Sequence, residues 1–136
     1  SIKAYLALKD ALVKSDTKLS AEKSKAFQKA LEQLTVPQRK TENAYWAVLH
    51  KTSKRINENT SIAQQRKSFQ VISNHIIELV QHFKTFDQKL TIQFCPMADN
   101  DNGAYWLSDE EQIRNPYFGD AMLNCGSVEQ VLGDEG

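Results

Sequence analysis

The stretch SIAQQRKSFQVISNHIIELVQHFK, residues 61–84, decides how the rest of the chain is read. Phe69, Ile72, Ile76, Leu79, Val80 and Phe83 recur in it at intervals of one helical turn. That spacing stacks them on one side of an α-helix and leaves most of the charged and amide side chains on the other. Such a stripe calls for partners, and three precede it. Residues 1–14 put Ile2, Tyr5, Leu6, Leu12 and Val13 on one side. Asp16 reads as a break and as the N-cap of a second helix over 17–35, where Phe27, Ala30, Leu31 and Leu34 follow the i, i+3, i+4, i+7 pattern. Pro37 closes that helix. A third starts near Thr41, a good N-cap, and carries Tyr45, Val48, Leu49 and Ile56; Asn57, Asn59 and Thr60 then punctuate the turn. Four amphipathic helices with short connections predict an all-α protein, an up-down four-helix bundle over 1–86.

The texture changes after that. Residues 1–86 hold one proline and no glycine, whereas 87–136 hold all five glycines, two of the three prolines and both cysteines. The reading for 87–136 is a loop-rich extension, packed on the bundle within one structural domain. Leu90-Thr91-Ile92-Gln93-Phe94 alternates like a short strand. Asp99-Asn100-Asp101-Asn102-Gly103 is a turn cluster, and Asn115-Pro116-Tyr117-Phe118-Gly119 is a second one. Asp120 is placed to cap a short helix through Leu123. Tyr105, Trp106, Tyr117 and Phe118 are too many aromatics to leave wet, so they are expected to anchor the extension.

Composition bounds the function. With 136 residues, 40% apolar and 25% charged, the chain can bury a real core. Lys+Arg and Asp+Glu both number 17, and a formal net charge of zero argues against nucleic acid, which needs a concentrated basic surface. No stretch is apolar for long enough to span a bilayer. No signal peptide is visible at Ser1, where the chain opens directly into a helix, as a mature or trimmed form would. A Gly-rich phosphate loop, a nucleophile elbow, a His-Glu-x-x-His run and a CxxC pair are all missing, so the expectation is that the protein is not an enzyme.

Sulfur is the chemically distinctive element. The two cysteines and two methionines fall in two short motifs, Cys95-Pro96-Met97 and Met122-Leu123-Asn124-Cys125. In an extended segment residues two apart share a face, and on a helical turn residues three apart do. Each motif can therefore aim two sulfurs at one centre. Thiolate and thioether are the soft ligands that select Cu(I), whereas Zn(II) prefers Cys and His. Cys95, Met97, Met122 and Cys125 are the candidate metal ligands. Two other states fit the same spacing: a Cys95–Cys125 disulfide, contributing roughly 3–4 kcal/mol by closing a loop of about thirty residues, or two buried free thiols with the methionines as core filler. His75 and His82 lie seven apart on one helix face, about 10 Å from each other. They read as boundary residues, either of which could lend a nitrogen to a sulfur site docked on the bundle. His50 is expected to face solvent, and Trp46 and Trp106 to be packing residues.

The segments Phe94-Cys95-Pro96-Met97-Ala98, Gly103-Ala104-Tyr105-Trp106-Leu107, Ile113 to Gly119 and Met122-Leu123-Asn124-Cys125-Gly126 resemble a bacterial domain-of-unknown-function family, as does the opening Tyr5-Leu6-Ala7-Leu8-Lys9-Asp10-Ala11-Leu12-Val13. That family occurs as secreted or lipoprotein-type periplasmic proteins and attached to membrane-fusion adaptors of copper/silver efflux systems. The resemblance implies a periplasmic or membrane-anchored location and Cu(I) or Ag(I) as the cargo; no cofactor is expected to be required for folding. It also implies a membrane-fusion adaptor or efflux component as partner. One departure is that the family often has a histidine just before Cys-Pro-Met, where this chain has Gln93 and Phe94. The rival expectation is a non-catalytic interaction module stapled by a Cys95–Cys125 disulfide.

Overall fold

In the computed structural model, residues 1–34, 43–83 and 86–133 are described. Four helices occupy the expected places: α1 (Ile2–Val13), α2 (Thr17–Glu32), α3 (Asn43–Ser53) and α4 (Ile62–Phe83). Pro37 as a helix stop and Thr41 as an N-cap lie outside the described residues. The local signals work as chemistry demands. Asp16, in extended conformation, accepts the Leu19 N–H at 2.9 Å and so satisfies one amide left free at the start of α2. Ser61 and Gln64 cap α4 reciprocally: the Ser61 N–H donates to Gln64 Oε1 (2.9 Å) and the Gln64 N–H to Ser61 Oγ (3.2 Å). Asn57 organises the preceding turn, with its Oδ1 accepting the Asn59 N–H and its carbonyl accepting the Thr60 hydroxyl.

The all-α reading is overturned by the second half. A three-stranded antiparallel sheet of order β2-β1-β3 forms from β1 (Leu90–Cys95), β2 (Ala104–Ser108) and β3 (Ser127–Leu132), so the protein is mixed α and β. Two features of the sequence conceal this. In β2, Ala104, Trp106, Leu107 and Ser108 are all buried, so both faces are covered and no alternation shows. In β3, the pairing passes from Ile92↔Gln130 to Gln93↔Val128, which leaves Glu129 as an extra residue in a bulge. Val128 and Val131 consequently stand three apart, a spacing that mimics a helix.

Neighbouring helices in sequence are neighbours in space, α1 on α2, α2 on α3 and α3 on α4, and β2 packs on α4. One core runs through both halves, joining Phe27, Phe69, Ile72 and Ile76 to Leu90, Ile92, Trp106 and Leu107. Tyr5 ties three elements together. Its hydroxyl contacts Ser73 Oγ of α4 at 2.7 Å and accepts the Leu107 N–H of β2 at 3.0 Å. A second clamp is Arg66 on α4, which donates to the carbonyls of Leu12 (2.9 Å) and Pro116 (2.8 Å) and so holds the end of α1 beside the last loop.

The central strand is covered on both sides. Leu90 and Ile92 share their face with Leu107, Leu132 and Gln130, and Gln81 of α4 donates to Gln130 at 3.3 Å on that side. Thr91, Gln93 and Cys95 share the other face with Ala104 and Trp106. The loop after β2 roofs this second face, since Thr91 Oγ1 and Gln93 Nε2 both donate to the Glu110 carbonyl, at 3.0 and 2.8 Å.

Candidate metal centre

Cys95 ends β1 opposite Ala104 and is fully enclosed. Cys125 comes from the loop that crosses the same face. Phe94 pairs with Ser127, and a Cβ on Gly126 would stand 2.8 Å from the Phe94 carbonyl oxygen, so the chain carrying Cys125 runs hard against the end of β1. The backbones that carry the two cysteines therefore run side by side. Both cysteines are free thiols, so the disulfide is not formed in this structure. Burial is the first reason that the Cys125 thiol titrates above its ordinary value; the hydrogen bond with Cys95 and that thiol's charge push the same way. The Met97 N–H opposes them by hydrogen bonding to Cys125. A cation arriving here must displace the proton that these effects retain.

The thioethers are less convergent than their spacing suggested. Residues 96–102 form a turn rather than an extension of β1, with the Ala98 N–H directed at the Cys95 carbonyl (3.4 Å). Asp99, Asn100 and Asp101 take positive φ in succession (54°, 52° and 67°), a left-handed run that Asp and Asn tolerate better than most residues other than glycine. The Met97 side chain is 47% exposed and lines a surface groove with Ile62, Arg66, Tyr117 and Phe118. Met122 closes the 3-10 turn Gly119–Met122, is half-buried, and accepts the Cys125 N–H on its carbonyl at 3.1 Å.

The histidines stand elsewhere. His75 Nδ1 is 2.8 Å from the Val71 carbonyl of its own helix, and His82 lies beside Tyr45 of α3, ring centres 6.2 Å apart. Among the described residues no three His, Cys, Asp or Glu side chains gather as a metal site, so neither histidine completes a triad with the two cysteines. His50 departs from its solvent-facing expectation: its ring stacks on Trp46 at 4.7 Å and Nε2 meets Glu32 at 2.7 Å. Tyr105 is also more open than expected, at 42% exposure, with its carbonyl accepting the Tyr117 hydroxyl at 2.5 Å.

The residue that sequence reasoning missed is Asn115. It is fully buried and organises the loop that delivers Cys125. Its Nδ2 donates to the Cys125 carbonyl (2.8 Å), its Oδ1 accepts the amides of Tyr117 and Phe118, and its own N–H donates to the Leu123 carbonyl (2.8 Å). The Asn-Pro dipeptide signalled a turn, but nothing local signalled these contacts ten residues ahead. Asn115→Ala is expected to cost about 1–3 kcal/mol by stranding buried polar partners. It should also speed alkylation of Cys125 by iodoacetamide; an unchanged alkylation rate would show that the loop holds without it.

Among the described residues no helix is long and apolar enough to cross a membrane. The profile of one family, Protein of unknown function (DUF3347), matches residues 2–88. The match covers α1 to α4 and ends just before β1, so the Cys/Met motifs lie beyond it, although the tail was expected to carry the resemblance. No curated protein and no solved structure matches the chain.

Proposed function

The chain belongs to the DUF3347 family, whose function is unknown, and we propose that it is a non-enzymatic periplasmic domain that binds Cu(I) or Ag(I) at the Cys95–Cys125 pair and passes the ion to an efflux component. The observation that carries this reading is that the two sulfur motifs bring two free thiols close together, and among the described residues no His, Asp or Glu joins them as a third ligand. Two thiolates alone suit a soft monovalent ion and leave Zn(II) short of its usual four ligands. The Met97 amide supports the charge on Cys125 when its proton leaves. Met122, on the same turn as Cys125, is the thioether best placed by sequence to join the pair, and Met97 in its surface groove would serve an incoming or outgoing ion. The location and the efflux partner rest on the family resemblance of the motifs.

The test is an anaerobic Cu(I) titration of the reduced protein against a competing chelator. One Cu(I) per chain is expected, with binding lost in a Cys95→Ser, Cys125→Ser double variant and weakened less by Met122→Leu. Wild-type affinity no better than that of the double variant would overturn the reading.

A further inference from the structure

The thiol pair is asymmetric in a way that metal binding does not require. Cys95 is fully enclosed at the end of the central strand, held by β2 on one side and, through Phe94, by β3 on the other. Cys125 is partly exposed and sits on a loop, followed by Gly126 at φ 137°, where most side chains would be strained. One thiol is thus shielded at a strand end, while the other, brought alongside by the Phe94–Ser127 pairing, is partly exposed. We propose that Cys95 and Cys125 are a redox pair that closes to a disulfide by exchange with a low-molecular-weight disulfide such as oxidised glutathione, with Cys125 as the entry thiol and Cys95 as the resolving thiol.

The chemistry balances in two exchanges. Cys125, as thiolate, attacks one sulfur of oxidised glutathione; the Cys125–glutathione bond forms, the glutathione S–S bond breaks, and the departing glutathione thiolate takes up the proton Cys125 released. Cys95, as thiolate, then attacks Cys125 Sγ. The Cys95–Cys125 bond forms, the mixed disulfide breaks, and the second glutathione thiolate leaves and takes up the proton from Cys95. Two protein thiols are oxidised and one small disulfide is reduced to two thiols. Access sets the order, because Cys125 is partly exposed whereas Cys95 is fully enclosed. Closure brings the two sulfurs to a covalent separation of about 2 Å.

Closure would consume both thiolates and so switch off ion binding. That consequence rests on the Cu(I) reading above, whereas closure itself rests on the geometry of the pair.

The experiment uses the full chain, reduced and then incubated with oxidised glutathione without oxygen, and reads intact mass after denaturing alkylation. Wild type is expected to lose both alkylatable thiols and carry no glutathione. Cys95→Ser is expected to stop at a single Cys125–glutathione adduct, and Cys125→Ser to stay unmodified in the folded state. Wild type that accumulates the adduct without closing, or keeps two free thiols, overturns the proposal, as does equal glutathionylation of Cys125→Ser. Folding of each variant is checked by far-ultraviolet circular dichroism, and Cys→Ala versions replace any that fail. A Cu(I) titration of both redox forms separates the two ideas: closure with no Cu(I) uptake by the reduced form overturns the metal reading alone.

Discussion

Tyr5→Ala is expected to destabilise the protein by about 3–5 kcal/mol, the range for deleting a buried aromatic ring. The ring is completely enclosed, stacked on Phe69 with centres 5.1 Å apart and edge-on to Phe27 at 6.4 Å. Its removal opens a cavity where α1, α2 and α4 meet. Tyr5→Phe isolates the hydroxyl, which alone links Ser73 to the Leu107 amide. That change is expected to cost about 1–3 kcal/mol, because the Leu107 N–H is left buried without its acceptor. Denaturant midpoints read both, and a Tyr5→Phe protein as stable as wild type would show that the hydroxyl does not hold the sheet to the helices. Alkali gives an independent check. Burial pushes the Tyr5 phenol far above its ordinary value of 10, outweighing the hydrogen bonds from Leu107 and Ser73 that pull it down, and burial likewise raises Tyr117. A raised folded value means that the neutral phenol's contribution is complete below pH 10 and is lost as pH climbs toward the folded value. Tyr5→Phe should flatten that alkaline loss.

The second large effect concerns a buried cation. Lys9 is 1% exposed, and its Nζ lies 2.9 Å from Asp10 Oδ1 and 3.7 Å from Glu110 Oε1. Arg114 Nη1 shares the same two carboxylates, at 3.4 and 2.9 Å. Two cations and two anions thus join α1 to the loop that roofs the sheet. Neutralising both carboxylates in an Asp10→Asn, Glu110→Gln variant leaves an enclosed ammonium without a counter-charge. The expected loss is about 2–4 kcal/mol, below the full value for a buried pair because both carboxylates are partly solvated. Lys9→Met should fall within about 1 kcal/mol of wild type, since the two carboxylates it leaves are partly solvated and keep Arg114 as counter-charge, so no buried charge is left unpaired. Adding Lys9→Met to the double variant should recover most of the loss. A double variant unfolding at the wild-type denaturant concentration would show that the network is ornamental to stability.

The helices were legible because their signals are local. Asp16 caps within three residues, Ser61 and Gln64 cap each other, and the stripe from Phe69 to Phe83 needs only the helical period. The sheet was half legible. Leu90 to Phe94 alternates and is a strand, but its two partners were hidden, β2 by burial on both faces and β3 by the extra residue at Glu129. The site divided in the same way. Cys95 and Cys125 come together through strand pairing, Phe94 with Ser127, which spacing along the chain does not encode. The expectation for Met97 assumed that the strand continued past Pro96, whereas the chain turns from residue 96 on and Met97 lies exposed in a surface groove. His75 and His82 were assigned to the correct helix, but its packing gives His82 to Tyr45 and His75 to its own backbone.

The bulge at Glu129 has a consequence for how one molecule meets another. Among the described residues β3 pairs on one side only, along β1, and its residues from Ser127 to Val131 are exposed. A free strand edge with Val128 and Val131 on it would ordinarily template a neighbour's strand and seed edge-to-edge aggregation. The extra residue breaks the outer row of amides and carbonyls in mid-strand, twists the edge, and sets a carboxylate there, held by the Ser127 hydroxyl at 2.9 Å. An approaching strand would find no more than a short run in register before meeting that charge, so the sheet ends where it does.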